Sequence, residues 1–285
     1  MRIVKHPVDM RNLSLTLQRT GKRVGLVPTM GALHKGHLSL LEIARRHTDV
    51  SVMSIFVNPT QFAPAEDFSR YPRPFEKDCE LAEQAGCDIL FAPEASAMYP
   101  QGYLTYVTVE QITQKLEGVS RPDHFRGVTT VVMKLLNIIS PQTAVFGQKD
   151  AQQVIVLKRM VHDLMVPVEL LVGATVRESD GLAVSSRNVY LNERERADAP
   201  RVRAALEAAE KHHAGGEKNA ARLRETVMEI LHKARFLRVE YAYIVDIHTL
   251  EPLDMVEDRA LLAVACKTND THTRLIDNTI LGGWF

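Results

Sequence analysis

"VPTMGALHKGH", residues 27 to 37, runs from the end of an apolar strand through a glycine turn into a segment with two histidines set three apart. "RVGLVP" (23 to 28) reads as the strand, and "KGHLSLLEIARRH" (35 to 47) carries apolar residues at helical spacing. "VSVMSIFV" (50 to 57) is nearly continuous in apolar residues, as a strand covered on both faces is. A strand, a helix and a buried strand in that order predict parallel β-α-β architecture.

The alternation continues. "FEKDCELAEQAG" (75 to 86) predicts a helix stopped by Gly86, followed by the strand "CDILFAP". "GVTTVVMKLLNIIS" predicts a helix before the strand "TAVFG", and "DAQQVIVLKRMVHDL" (150 to 164) a helix before "VELLVG" (168 to 173). By this reading residues 1–175 form an α/β domain, a Rossmann-like doubly wound parallel sheet of about five strands. Beyond residue 175 the texture changes. "NERERADAPRVRAALEAAEKHHAGG" reads as one charged helix with a "GG" stop, then come another helix and the strands "RVEYAYIVD" and "ALLAVACK". Residues 176–285 are therefore expected to be a second, smaller α+β domain.

Charge and composition exclude several classes. Lys and Arg number 35, as do Asp and Glu, so the basic excess of a nucleic-acid binder is missing. No apolar run reaches bilayer-spanning length, and "MRIVKHPVDM" lacks the pattern of a secretory signal, so no membrane partner and a cytoplasmic location are expected. Cys79, Cys87 and Cys266 are odd in number and form no CxxC, which reads as reduced bystanders.

The turn itself admits several readings. "GALHKGHL" approaches the phosphate loop G-x-x-x-x-G-K-[ST], but His37 and Leu38 stand where that loop needs lysine and a hydroxyl. His34 and His37 as zinc ligands lack the Cys, Asp or Glu that would complete a tetrahedral set. A helix start whose histidines face solvent is the plain alternative. Location favours an anion site: the carboxyl edge of a parallel sheet is where such folds bind ligands, and a helix start offers N–H groups to phosphates. Gly31 permits a tight turn, Gly36 permits close approach of a ligand, and two imidazoles can stabilise charge at a phosphorus centre.

"HKGH" is similar to the HxGH signature of nucleotidyltransferases and class I aminoacyl-tRNA synthetases. The wider "PTMGALHKGHLSL" resembles more narrowly the pantoate–β-alanine ligase family. "IFVNPTQF" (55 to 62), "DFSRYPR" (67 to 73), "RPDHFRGVTTVV" (121 to 132), "FGQKDAQQ" (146 to 153) and "RESDGLAVSSRN" (177 to 188) resemble family motifs in the same order, across essentially the whole chain. The resemblance implies ATP-dependent ligation of pantoate and β-alanine to pantothenate through a pantoyl adenylate, releasing AMP and pyrophosphate. It also implies a homodimer and Mg2+ accompanying ATP. The alternatives are another HxGH nucleotidyltransferase, which would not need paired glutamines, and a non-catalytic nucleotide sensor.

Carried onto this chain, the resemblance puts Met30, Gly31, Ala32, Leu33, His34, Lys35, Gly36 and His37 along ATP, with His34 and His37 at the phosphates. Gln61 and Gln153 match the pantoate-binding glutamines, and neutral amides can hold a hydroxylated carboxylate without quenching it as a nucleophile. Asn58 either shapes that pocket or serves as ordinary turn chemistry before Pro59. Gly147, Lys149 and Asp150 match the next nucleotide-binding stretch, with Gln148 in it where an acidic residue is common, and Asp150 also suits a helix cap. Val176 matches a backbone contact to the nucleotide. Val184, Ser185, Ser186 and Arg187 match a flexible segment that closes over the phosphates, so the catalytic group expected is His34, His37, Lys149, Ser185, Ser186 and Arg187. The second domain is thereby expected to close over the active site. Metal ligands are not legible; Asp78 is a candidate by position, with Lys77 where a second acid is sometimes found.

Overall fold

The apolar run at 24 to 29 lies near the middle of a six-stranded parallel sheet in the computed structural model, which describes residues 1–63 and 66–285. The strands are β1 (Arg2–Val4), β2 (Val24–Thr29), β3 (Val50–Ile55), β4 (Ile89–Phe91), β5 (Thr143–Gly147) and β6 (Glu169–Gly173), ordered β1-β4-β3-β2-β5-β6. β2 pairs in register with β3 from Val24↔Val50 to Thr29↔Ile55, and with β5 at Gly25↔Thr143 and Leu26↔Ala144. The count exceeds expectation by β1, a three-residue edge strand beside β4 in which only Val4 is buried. Such a strand leaves too little apolar alternation to be read.

From β2 the chain winds to β3 and β4 on one side, then crosses to β5 and β6 on the other. The order reverses between β2 and β5, the switch point where doubly wound sheets bind ligands. β2 ends at Thr29 and β5 at Gly147, so the two glycine-bearing stretches singled out in the sequence both begin there.

Helices in this unit are α1 (Pro7–Arg19), α2 (Lys35–His47), α3 (Phe75–Gln84), α4 (Ala95–Met98), α5 (Glu117–Ser120), α6 (His124–Ile139) and α7 (Ala151–Asp163). Leu40, Leu41 and Ala44 of α2 share one buried cluster with Val27, Met53, Leu90 and Val145 of the sheet. Because side chains alternate along a strand, Leu26, Val52 and Ala144, all fully buried, point to the opposite face, where α1 and α6 pack together and against β2.

The chain divides into two compact units, Met1–Gly147 with Gln152–Gly173, and Gln148–Ala151 with Ala174–Phe285. The second contains α8 (Glu193–Asp198), α9 (Arg201–Ala214), α10 (Ala220–Leu231) and an antiparallel sheet β7 (Leu237–Asp246), β8 (Ala260–Thr268) and β9 (Arg274–Leu281). Its core joins Leu206, Leu223 and Val227 to Leu262, Val264 and Cys266. Two expectations are corrected here. The single charged helix is two, broken at Pro200, which caps α9 and cannot donate a hydrogen bond inside a continuous helix. The sheet has a third strand, β9, whose Asp277 and Asn278 disguise it as loop. Among the described residues no helix is long and apolar enough to cross a membrane.

Candidate active site

The turn after β2 is held from outside. Gly31 and Ala32 both adopt left-handed backbone, with φ of 83° and 49°. That conformation is costly for alanine, so something must fix it. Asp78 of α3 does so: its Oδ2 accepts from the Ala32 N–H at 2.8 Å and its Oδ1 from the Leu33 N–H at 2.7 Å. Asp78 is 1% exposed. Burial pushes its carboxyl up from the ordinary value, while the Leu33 and Ala32 N–H groups and Lys77 pull it down.

Beyond the turn, α2 starts at Lys35 with His34 as the cap residue, and the His34 side chain does not cap the helix. No acidic residue stands in the first turn. The positive end of the helix dipole therefore meets a lysine and two histidines of its own segment, with Asp78 tied to the Ala32 and Leu33 N–H groups just ahead of the cap, and the N–H groups of the first turn itself favour an added anion. The rings of His34 and His37 stack with centroids 3.9 Å apart and planes 17° from parallel. Gly36 makes this possible in a way the sequence did not show. A Cβ there would sit 3.1 Å from Cε1 and Nδ1 of His34, so the open side of the glycine receives the imidazole rather than a ligand.

The glutamine expected at the acid substrate lies close by. Gln61 Nε2 is 3.0 Å from the Met30 thioether sulfur, which brings the end of the turn and this amide together. Asn58 Nδ2 donates to Gln61 Oε1 and to the Gly127 carbonyl, each at 3.1 Å. The Gln61 amide is thereby turned with its acceptor toward Asn58 and its Nε2 toward Met30, where its second N–H suits a carboxylate or hydroxyl. Asn58 also serves the turn: its Oδ1 caps the short 3-10 turn Pro59–Gln61, accepting from Thr60. The neighbouring glutamines of α7 divide their labour. Gln152 spends its amide on the Ile112 and Lys115 carbonyls and the Glu117 N–H, whereas the Gln153 amide, half-buried, has no partner among the described residues.

The remaining predicted residues belong to the second unit, Gly147 excepted. Asn278 of β9 donates through Nδ2 to the Gln148 and Lys149 carbonyls, each at 2.9 Å, and so fixes the backbone that carries Lys149. Lys149 Nζ lies 4.0 Å from Asp150 Oδ1. That carboxylate is half-exposed. Val176 and Val184 are joined across a tight hairpin, the Val184 N–H donating to the Val176 carbonyl at 2.9 Å. Of the Val176 backbone groups, the N–H is then the one left for a ligand. Ser185, Ser186 and Arg187, expected as a flexible segment, form a capped 3-10 turn over Ser186–Tyr190, with Ser185 Oγ accepting from the Arg187 N–H at 3.3 Å.

Among the described residues no three His, Cys, Asp or Glu side chains converge on a possible metal site. Each oxygen of Asp78, the candidate by position, accepts one hydrogen bond from the turn, which gives that carboxylate a positioning role. The thiols of Cys87 and Cys266 are buried and pushed up to about 11 and about 12 by that burial, which suits inert residues.

His124 stands in one of the family-like motifs with no role expected of it, yet it has a marked one. Its Nδ1 is 2.8 Å from the Gln61 carbonyl oxygen. A carbonyl only accepts, so Nδ1 carries the proton and Nε2 accepts from Arg121 Nη1 at 3.3 Å. Burial first, then the Arg121 charge, lower the His124 pKa to about 4 from an ordinary 6.5. The folded protein thus keeps this ring neutral at pH values where the unfolded chain protonates it. The site's contribution to stability is complete above pH 6.5 and is lost as pH falls toward 4, by about 2 kcal/mol between pH 7.5 and 5. Urea melts of the wild type and His124→Asn at those two pH values should differ by that amount in their pH dependence; parallel curves would contradict the assignment.

Residues 2–280 match the model of the Pantoate-beta-alanine ligase family. Pantothenate synthetases of Thermoanaerobacter sp. (strain X514) and Geobacter sulfurreducens are 53% and 50% identical, over 96% and 99% of both chains. The crystal structure of pantothenate synthetase from Thermus thermophilus superposes with a TM-score of 0.92 at 46% identity, covering 98% of this chain and 99% of that one. The pantoate-beta-alanine ligase of Francisella tularensis, complexed with beta-gamma ATP and beta-alanine, gives 0.79 at 32% identity, covering 100% and 99%.

Proposed function

Because the chain belongs to the pantoate-beta-alanine ligase family, it is an ATP-dependent ligase of pantoate and β-alanine, and we propose that it works through a pantoyl adenylate formed at the turn Met30–His37. The observation that carries this reading is the start of α2, with no acidic residue in its own first turn and the rings of His34 and His37 stacked there. A pantoate carboxylate oxygen attacks the α-phosphorus of ATP, and pyrophosphate leaves toward the helix start. Donors already in place stabilise the charge that develops there. The neutral amine of β-alanine then attacks the acyl carbonyl, AMP departs with the bridging oxygen, and the amine loses its proton to give pantothenate.

Gln61 and Gln153 hold pantoate in this proposal, and Asn58 sets the orientation of Gln61. The family resemblance extends the nucleotide contacts to Gly147, Gln148, Lys149, Asp150, Val176, Val184, Ser185, Ser186 and Arg187. Magnesium would accompany the triphosphate, whose oxygens are the kind of ligand that ion favours, and no residue of this chain is assigned to it. A homodimer is proposed from the resemblance, and a cytoplasmic location is supported by the free thiols Cys79, Cys87 and Cys266.

Gln61→Ala and Gln153→Ala test the pocket. Each should raise the pantoate KM by roughly tenfold to a hundredfold, the worth of a hydrogen bond to a charged group, and leave the ATP Kd by calorimetry near that of the wild type. Loss of ATP affinity in both variants with an unchanged pantoate KM would contradict it.

A further inference from the structure

The carbonyl of Gln61 is gripped as firmly as its amide. His124 Nδ1 donates to it at 2.8 Å and Arg121 Nη2 at 3.3 Å. Arg121 is anchored in turn by a two-pronged pair with Glu66, Nε to Oε1 and Nη2 to Oε2, both at 2.6 Å. Arg121 also donates to His124 Nε2, closing the group. These side chains come from two separate stretches, residue 66 and the junction between α5 and α6, and meet on one peptide unit. The side chains of Arg121 and Glu66 are only 17% and 21% exposed, so water does little to weaken the pair. The hydrogen bonds of all three converge on Gln61 and on one another.

We propose that Glu66, Arg121 and His124 form a positioning clamp that fixes the Gln61 backbone, so that the Gln61 amide meets pantoate in a single orientation. The clamp works on the acid substrate and not on the nucleotide, because its point of attachment is the Gln61 carbonyl. Pairing with Glu66 has a second consequence. The Arg121 charge is satisfied within the clamp, so it does not bind the pantoate carboxylate and blunt it as a nucleophile. The inference rests on the reading of Gln61 as a pantoate ligand.

Four variants of the full chain separate the two. Gln61→Ala tests the reading itself: an unchanged pantoate KM removes it, and the clamp's function with it. Where Gln61→Ala does raise the KM, His124→Ala should raise it roughly tenfold, as expected for loss of one part-buried hydrogen bond, with the ATP Kd by calorimetry unchanged. His124→Asn, whose amide can donate from near the Nδ1 position, should restore the KM to within about threefold of wild type. A folded His124→Ala with normal pantoate KM, equal losses for ATP and pantoate, or an Asn variant as impaired as the Ala variant would each overturn the clamp. Should His124→Ala not fold, Glu66→Gln decides, since Glu66 lies partly in solvent. A rise of roughly threefold in pantoate KM alone supports the clamp, and an unchanged KM refutes it.

Discussion

Replacing His37 with alanine is expected to slow pantoate-dependent exchange of pyrophosphate into ATP by on the order of a hundredfold to a thousandfold, the usual cost of removing one preorganised donor from a developing charge. The expectation follows from where the ring sits. His37 lies in the first turn of α2, stacked on His34, at the end of the helix where pyrophosphate is proposed to leave. It is partly exposed and not part of the core, so the fold should survive its loss. The thermal midpoint should accordingly shift by only a few degrees. Near-normal exchange in a folded His37→Ala protein would remove the turn from the chemistry.

Asp78→Ala is expected to do comparable damage by a different route. It removes the acceptor of the buried Leu33 N–H and of the part-buried Ala32 N–H, at a cost of about 2 to 5 kcal/mol in stability. The left-handed turn then lacks its tie, and a shift near 1 Å in catalytic groups typically costs about a hundredfold in rate. Exchange activity should fall by at least that factor and the thermal midpoint should drop. Raising magnesium distinguishes this account from a metal-ligand role: activity should not recover. Recovery at high magnesium would return Asp78 to the metal.

Much of this was legible in the sequence because the central strands are buried on both faces. β2, β3 and β5 read as apolar runs, and α2 was bounded at Lys35 and His47 as observed. β1 escaped because a three-residue edge strand with one buried side chain has no period to detect. β9 escaped because Asp277 accepts from Arg177 and Asn278 donates to Gln148 and Lys149, so polar residues occupy buried strand positions for reasons supplied elsewhere in the chain. The site follows the same division. Residues expected to touch substrate stand in local motifs, and the motifs marked them. Those that hold the motifs in shape, Asp78, His124 and Asn278, act on partners 45 or more positions away, and no spacing rule reaches that far.

The central claim is attack at the α-phosphorus beside the "VPTMGALHKGH" turn, and pantoate labelled with heavy oxygen in its carboxylate tests it most directly. The account predicts one label oxygen in AMP for each pantothenate formed, with unlabelled pyrophosphate as the other phosphate product. Label in orthophosphate, with ADP in place of AMP, would mean an acyl phosphate and would contradict the role assigned to His34, His37 and the start of α2.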